Sequence, residues 1–101
     1  MKTTTNSAEV RELVLFATND SLTYHNSTIP ALENLRKKIA RNVYDESKAQ
    51  KMWEYVAEYA ARRYAKEFAS HGTKWFEVFN AACRRAAALK LMEYYADALE
   101  E

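Results

Sequence analysis

The stretch DESKAQKMWEYVAEYAARRYAKEFAS (residues 45–70) decides the fold, because it joins a helix start signal to a long helical repeat of apolar residues. Asp45 is a favourable N-cap residue, and His71 with Gly72 is expected to end the helix in a left-handed terminator. At about 100° per residue, one side of this helix forms a core face of Ala49, Trp53, Val56, Ala57, Ala60, Tyr64 and Phe68. The pattern predicts a long third helix with Trp53 in the core.

A fourth helix is predicted to follow, from a cap at Thr73 to the C-terminus. One of its sides carries Phe76, Phe79, Cys83, Ala87, Leu91 and Tyr94. The opposite side carries Val78, Leu89, Met92 and Ala96. A helix with two apolar sides is either central or shared with another chain. The second side is therefore a candidate protein interface, for which a two-fold homodimer is one solution.

Two shorter helices are predicted in the N-terminal half. Asn6 can cap the first, which ends near Asn19, although a strand over residues 13–16 is the rival interpretation. Asp20 or Ser21 can cap the second, which runs to Arg41, and Pro30 either starts or kinks it. Its apolar residues are Leu22, Ile29, Leu32, Leu35 and Ile39.

The fold class follows from these patterns and from the scarcity of turn formers. The chain has one glycine and one proline, and a fold of many strands normally needs more. We expect an all-α, small helical bundle of about four helices, with a long antiparallel pair in the C-terminal half. Its 101 residues match one domain, which we place at residues 6–101 behind a frayed tail of residues 1–5.

Composition excludes several classes of function. The net charge of +1 provides no global field that would recruit nucleic acid or an anionic membrane. The apolar runs are far shorter than the roughly 20 residues that span a bilayer, so we expect no membrane insertion. A single cysteine and the lack of a secretion signal favour the cytoplasm.

No motif in the sequence predicts catalysis or metal binding. His25 and His71 are far apart and have no second ligand at metal-binding spacing, so both are interpreted as structural or surface residues. Cys83 lies between apolar residues of the predicted fourth helix, which is typical of a buried small side chain rather than a nucleophile. We therefore predict a protein that is not an enzyme and that uses no cofactor or metal.

Two charged groups allow a structural and a functional interpretation. Arg63 and Glu67, with Arg84 and Arg85, are expected to form ion pairs that fasten the third and fourth helices, with a binding pocket as the alternative. The densest positive region contains Arg36, Lys37, Lys38, Arg41, Lys48 and Lys51. It predicts either a solvated helix end or a nucleic-acid-binding surface.

Several segments resemble, in order, a family of short phage and prophage proteins of unassigned function. They are ELVLFATND (residues 12–20), YDESK (residues 44–48) with Trp53, RYAKEF (residues 63–68) and RRA (residues 84–86). The resemblance implies a phage accessory protein that acts inside a bacterial host cell. Such proteins often bind a host or phage protein and can disable host machinery such as a defence system; the family's pattern identifies no site residues.

Overall fold

The computed structural model describes residues 7–69 and 72–100, and this part of the chain is helical without any strand. The helical elements are α1 (Ser7–Asn19), α2 (Ser21–Thr23), a π-helical segment (Tyr24–Thr28), α3 (Ile29–Ala40), α4 (Glu46–Phe68), α5 (Trp75–Val78), α6 (Ala81–Tyr94) and α7 (Ala96–Leu99). The predicted tail of residues 1–5, the Asn6 cap and His71 lie outside the described residues. The all-α prediction is confirmed.

The antiparallel pair at the centre of the fold consists of α4 and α6. Trp53 near the start of α4 stacks on Tyr95 after the end of α6, with 5.3 Å between ring centroids. Tyr64 near the end of α4 contacts Phe79 before the start of α6, at 5.0 Å. This crossed order requires antiparallel helices, as predicted. Trp53 is 0% exposed, which confirms the predicted core face of α4 around it.

The other helices pack beside this pair in a thin domain. α1 contacts both α4 and α6, whereas α3 contacts α4 and α7. The Arg36 guanidinium of α3 donates two hydrogen bonds to the Ala98 carbonyl, which ties α7 to α3. The shortest extent is 17 Å, about the thickness of two packed helix layers. Most helices in so thin a domain have one side turned to solvent.

Pro30 lies in the first turn of α3, which begins at Ile29, so the predicted alternative in which it starts a helix is confirmed. It follows a π turn, in which the Ile29 amide donates to the Tyr24 carbonyl, and residues 21–40 remain continuously helical. A proline ring clashes with the carbonyl four residues earlier, and the wider turn relieves that clash. The extra residue in the turn rotates the buried side by about 100°. Thr23 is consequently buried in place of the predicted Leu22, which is exposed.

The predicted fourth helix is wrong in its continuity, because the chain forms α5, α6 and α7 instead. Phe79 has an extended backbone, and the Asn80 side chain accepts a hydrogen bond from the Cys83 amide (2.8 Å), which starts α6. The break changes which residues share a side of the helix, so Phe76 is exposed. A second break after α6 places Tyr95 in the core instead of the predicted Tyr94.

The end of α4 also differs from the prediction. The helix stops at Phe68 because Ala69 has an extended backbone, two residues before the expected end. Phe68 is exposed rather than buried, since it lies in this last turn, where its ring contacts the rings of Tyr64 at 5.0 Å and Phe16 at 6.0 Å. Gly72 has the left-handed conformation predicted for it, with φ of 91°.

The expected ion pairs between the third and fourth helices are replaced by pairs to another element. Arg63 of α4 donates to Asp20, the cap of α2, and to Glu67. Arg84 instead donates to the Phe79 carbonyl (2.7 Å). The sequence placed Arg63 and Glu67 together but offered no sign of Asp20, which is distant along the chain.

The Asn80 cap predicts a measurable cost on removal. We expect Asn80→Ala to lower the free energy of unfolding by about 1 kcal/mol, because the Cys83 amide loses its acceptor at the first turn of α6. Urea denaturation measures the change. Asn34→Ala in the exposed part of α3 is the matched control, and it should change stability by less than about 0.5 kcal/mol. An equal loss in both variants would contradict the assigned cap.

Candidate protein-interaction site

Three of the four residues predicted as a protein interface lie together in one groove. Leu89 and Met92 of α6 and Ala96 of α7 form one wall, and the end of α3 with the following loop forms the other. The groove has a volume of about 800 Å³. Its lining residues are Ile39, Tyr44, Glu46, Leu89, Met92, Glu93, Ala96, Leu99 and Glu100, and we call it the acidic groove.

Val78 does not belong to this surface. It lies in α5, is half-buried against the core, and lines a different hollow with Glu12, Tyr64 and Phe79. The sequence pattern placed it beside Leu89 because the helix was assumed to be unbroken. The break at Asn80 removes that geometric relation.

The apolar residues of the acidic groove differ in how much of each side chain is buried against the core. Met92 and Leu99 are half-buried and pack against the core cluster. Leu89 is 47% exposed, and Ile39 and Tyr44 are also exposed. Exposed apolar residues that adjoin one another and have a polar rim are typical of interaction sites. Leu89 can therefore contact a partner without being withdrawn from the core.

All three charged residues that line the acidic groove are carboxylic acids: Glu46, Glu93 and Glu100. The effect of one of them is visible at Tyr44, whose pKa is raised mainly by partial desolvation and further by the nearby Glu46 carboxylate. Both causes oppose the formation of another negative charge. The groove thus combines an apolar lining with three carboxylic acids.

The predicted basic region is only partly available for binding nucleic acid. Arg36 is engaged with the Ala98 carbonyl. Its other members, Lys37, Lys38, Arg41, Lys48 and Lys51, form no ion pair with any acid in the described residues. The nucleic-acid hypothesis stays a prediction, for which a steep loss of DNA binding with rising salt would be the signature.

The residues considered for chemistry have structural surroundings. Cys83 is buried, and this burial is the main reason why the pKa of its thiol is raised, which keeps it protonated. His25 is exposed, and its Nδ1 lies 2.9 Å from the Ser21 carbonyl oxygen. In residues 7–69 and 72–100 there is no group of three side chains able to hold a metal ion.

The sequence did not reveal one wall of the acidic groove. The helical pattern predicts a buried side for Ile39, which is exposed in the structure, and it assigns no site to Tyr44 or Glu46. Their exposure beside apolar neighbours depends on how α3 meets α6 and α7, which helical spacing does not report.

Comparisons with known proteins add no relative to these observations. No protein-family model, curated protein or solved structure matches this chain. The resemblance to short phage proteins therefore stays a prediction.

Within the part of the chain that the structure describes, none of the helices combines the length and apolar character required to cross a membrane.

Proposed function

We propose that this protein is a non-enzymatic interaction module that binds a cationic, amphipathic helix of a partner protein in the acidic groove. The observation that carries the proposal is the conjunction of exposed Leu89 and Ile39 with three carboxylates in one groove. A helix that buries one apolar stripe in a groove is a common mode of peptide recognition. Lysine or arginine residues beside that stripe would meet Glu46, Glu93 and Glu100.

The same charges favour a different protein over a second copy of this chain. In a two-fold dimer each groove meets its own equivalent, so the carboxylates of Glu46, Glu93 and Glu100 would be brought towards each other. Facing like charges are destabilising at an interface. The homodimer stays a prediction, and light scattering at micromolar concentration tests it directly.

The biological setting of the proposal comes from the sequence resemblance. Short phage proteins of the kind it indicates act inside a bacterial cell, so the partner we propose is a host or phage protein. Occupation of the acidic groove by a functional helix of that partner would disable it without any chemical reaction. A host defence system is one class of target that fits this role.

Peptide binding to two groove variants tests the proposed site. The probe is a fluorescent helical peptide of about 14 residues with leucine at positions i, i+3, i+4 and i+7 and lysine on the other face. We expect saturable binding by fluorescence anisotropy. Leu89→Ser should weaken it about tenfold because apolar contact is lost, and Glu93→Lys should do so because attraction becomes repulsion.

Leu22→Ser provides the matched control, since Leu22 of α2 is 47% exposed, as Leu89 is, and does not line the acidic groove. It should leave the affinity unchanged. Met92→Glu is less informative because Met92 also packs against the core. The proposed function is wrong if the lysine peptide fails to bind, or if Leu89→Ser and Leu22→Ser weaken its binding equally.

A further inference from the structure

A second apolar groove lies on the other flank of α6, where α1 and α6 run beside each other. Val10 and Val14 of α1 and Ala86 of α6 lie along it, and its volume is about 620 Å³. Its lining residues are Val10, Arg11, Val14, Leu15, Thr18, Ala86, Lys90 and Tyr94, and we call it the basic groove. α6 is thus the shared wall between two grooves.

The basic groove leaves large apolar side chains in contact with solvent. Leu15 is 53% exposed and Tyr94 is 64% exposed, although both line the groove together with half-buried Val14. The Thr18 hydroxyl donates within α1 to the carbonyls of Val14 (3.0 Å) and Leu15 (3.2 Å). The surface offered to a partner is therefore mostly hydrocarbon.

The charges of this groove are opposite to those of the acidic groove. Arg11 and Lys90 are its only charged lining residues, and neither takes part in an ion pair within the described residues. Glu12 of α1 lies elsewhere, where it accepts a hydrogen bond from the Tyr64 hydroxyl (3.0 Å). An occupant with carboxylates at its edge would neutralise both cations.

The shape of the groove selects a helix as the occupant. Helices that pack side by side are separated by about 8 to 10 Å, and the furrow between them accepts the apolar ridge of a third helix. α1 has 13 residues and so is about 20 Å long, enough to accompany nearly four helical turns. A nucleic acid would satisfy Arg11 and Lys90 but leave Leu15 and Tyr94 uncovered.

We propose that the basic groove is a second, independent docking site that binds an acidic amphipathic helix of a partner protein. This chain supplies no such helix in its described part: the acidic segment α7 has four residues and is tied to α3. The occupant therefore comes from a different protein. With both grooves occupied, the domain would hold two partner helices of opposite charge on either side of α6.

The test uses the leucine peptide described above with glutamate in place of lysine. We expect saturable binding by fluorescence anisotropy, weakened about tenfold by Arg11→Glu and by Lys90→Glu, and weakened by Leu15→Ser. Lys66→Glu makes the same change in net charge at an exposed position that lines neither groove. It should leave the affinity of the glutamate peptide unchanged.

A variant of the acidic groove supplies a second control. Glu93→Lys should abolish the preference of the acidic groove for the lysine peptide without weakening the binding of the glutamate peptide. This keeps the two proposals separable: either peptide can fail while the other binds. The second site is overturned if the glutamate peptide shows no saturable binding, or if Lys66→Glu weakens that binding as much as Lys90→Glu does.

Sedimentation velocity of the unliganded protein tests a second copy of this chain as the occupant. Self-association that Arg11→Glu dissolves would identify a second copy as the occupant and would also overturn the proposal.

Discussion

Trp53→Ala should lower the free energy of unfolding by about 3 to 5 kcal/mol, the range for truncation of a large buried aromatic residue. Trp53 is completely buried, and its ring lies parallel to that of Tyr95 at 5.3 Å. The substitution would leave a cavity between α4 and the residue that closes α6. Urea denaturation followed by circular dichroism measures the loss.

Tyr55→Ala is the control for this prediction, since Tyr55 lies two residues away on the same helix and is 71% exposed. It should change the free energy of unfolding by less than about 0.5 kcal/mol. A loss below about 1 kcal/mol for Trp53→Ala would show that the α4–α6 contact is not the centre of the core.

Asp20→Ala is expected to cost about 2 to 3 kcal/mol, because it removes a helix cap and half of a partly buried ion pair together. The Asp20 carboxylate accepts hydrogen bonds from the Thr23 amide and hydroxyl, and two more from the Arg63 guanidinium. Asp20→Asn can keep the cap but not the charge, so it should cost less. Urea denaturation at neutral pH measures both variants.

The matched control is Glu58→Ala, which removes the exposed ion pair of α4 with Arg62. A surface pair of this kind contributes at most about 1 kcal/mol. Equal losses for Asp20→Ala and Glu58→Ala would contradict a special role for the link between α2 and α4.

The same ion pair predicts a dependence of stability on acid. The hydrogen bonds from Arg63 hold the pKa of Asp20 at about 2, against an ordinary value of 3.8. A carboxyl group whose pKa is lower in the folded state stabilises the fold fully at pH values above its pKa in the unfolded chain. That contribution is lost as the pH falls from about 5 towards 2. Because solvent partly screens the pair, we expect a loss of about 1 to 2 kcal/mol. The loss should be absent in Asp20→Asn, and an unchanged acid profile in that variant would contradict the assignment.

The candidate site was only partly predictable, and the reason is visible at α6. Its two apolar sides are a property of residue spacing, so Leu89, Met92 and Ala96 were identified as candidate interface residues. Residue spacing does not distinguish a helix that is central in the fold from one that uses its second apolar side to bind another chain. In the structure one side of α6 contacts α4, while Leu89 and Lys90 face separate grooves.

The break that removed Val78 from the predicted interface had a local signal. Asn80 precedes an alanine-rich helical run and is a favourable N-cap residue. The continuous apolar pattern on both sides of it concealed that signal. Whether a helix breaks at a cap residue inside a periodic segment depends on two free energies. One is what the preceding residue, here Phe79, gains by burial in the core, and the other is what it gains by continuing the helix.

By itself the sequence determined the all-α class, the Asp45 cap, the core position of Trp53 and the burial of Cys83, and it narrowed the cap of the second helix to Asp20 or Ser21. Each of these depends on residues within a few turns of one another, where side-chain type and helical period act directly. The tertiary structure alone decided that Asp20 pairs with Arg63, that Tyr95 replaces Tyr94 beside Trp53, and that grooves of opposite charge flank α6. These features join residues far apart along the chain, so they depend on the angles and offsets at which whole helices pack.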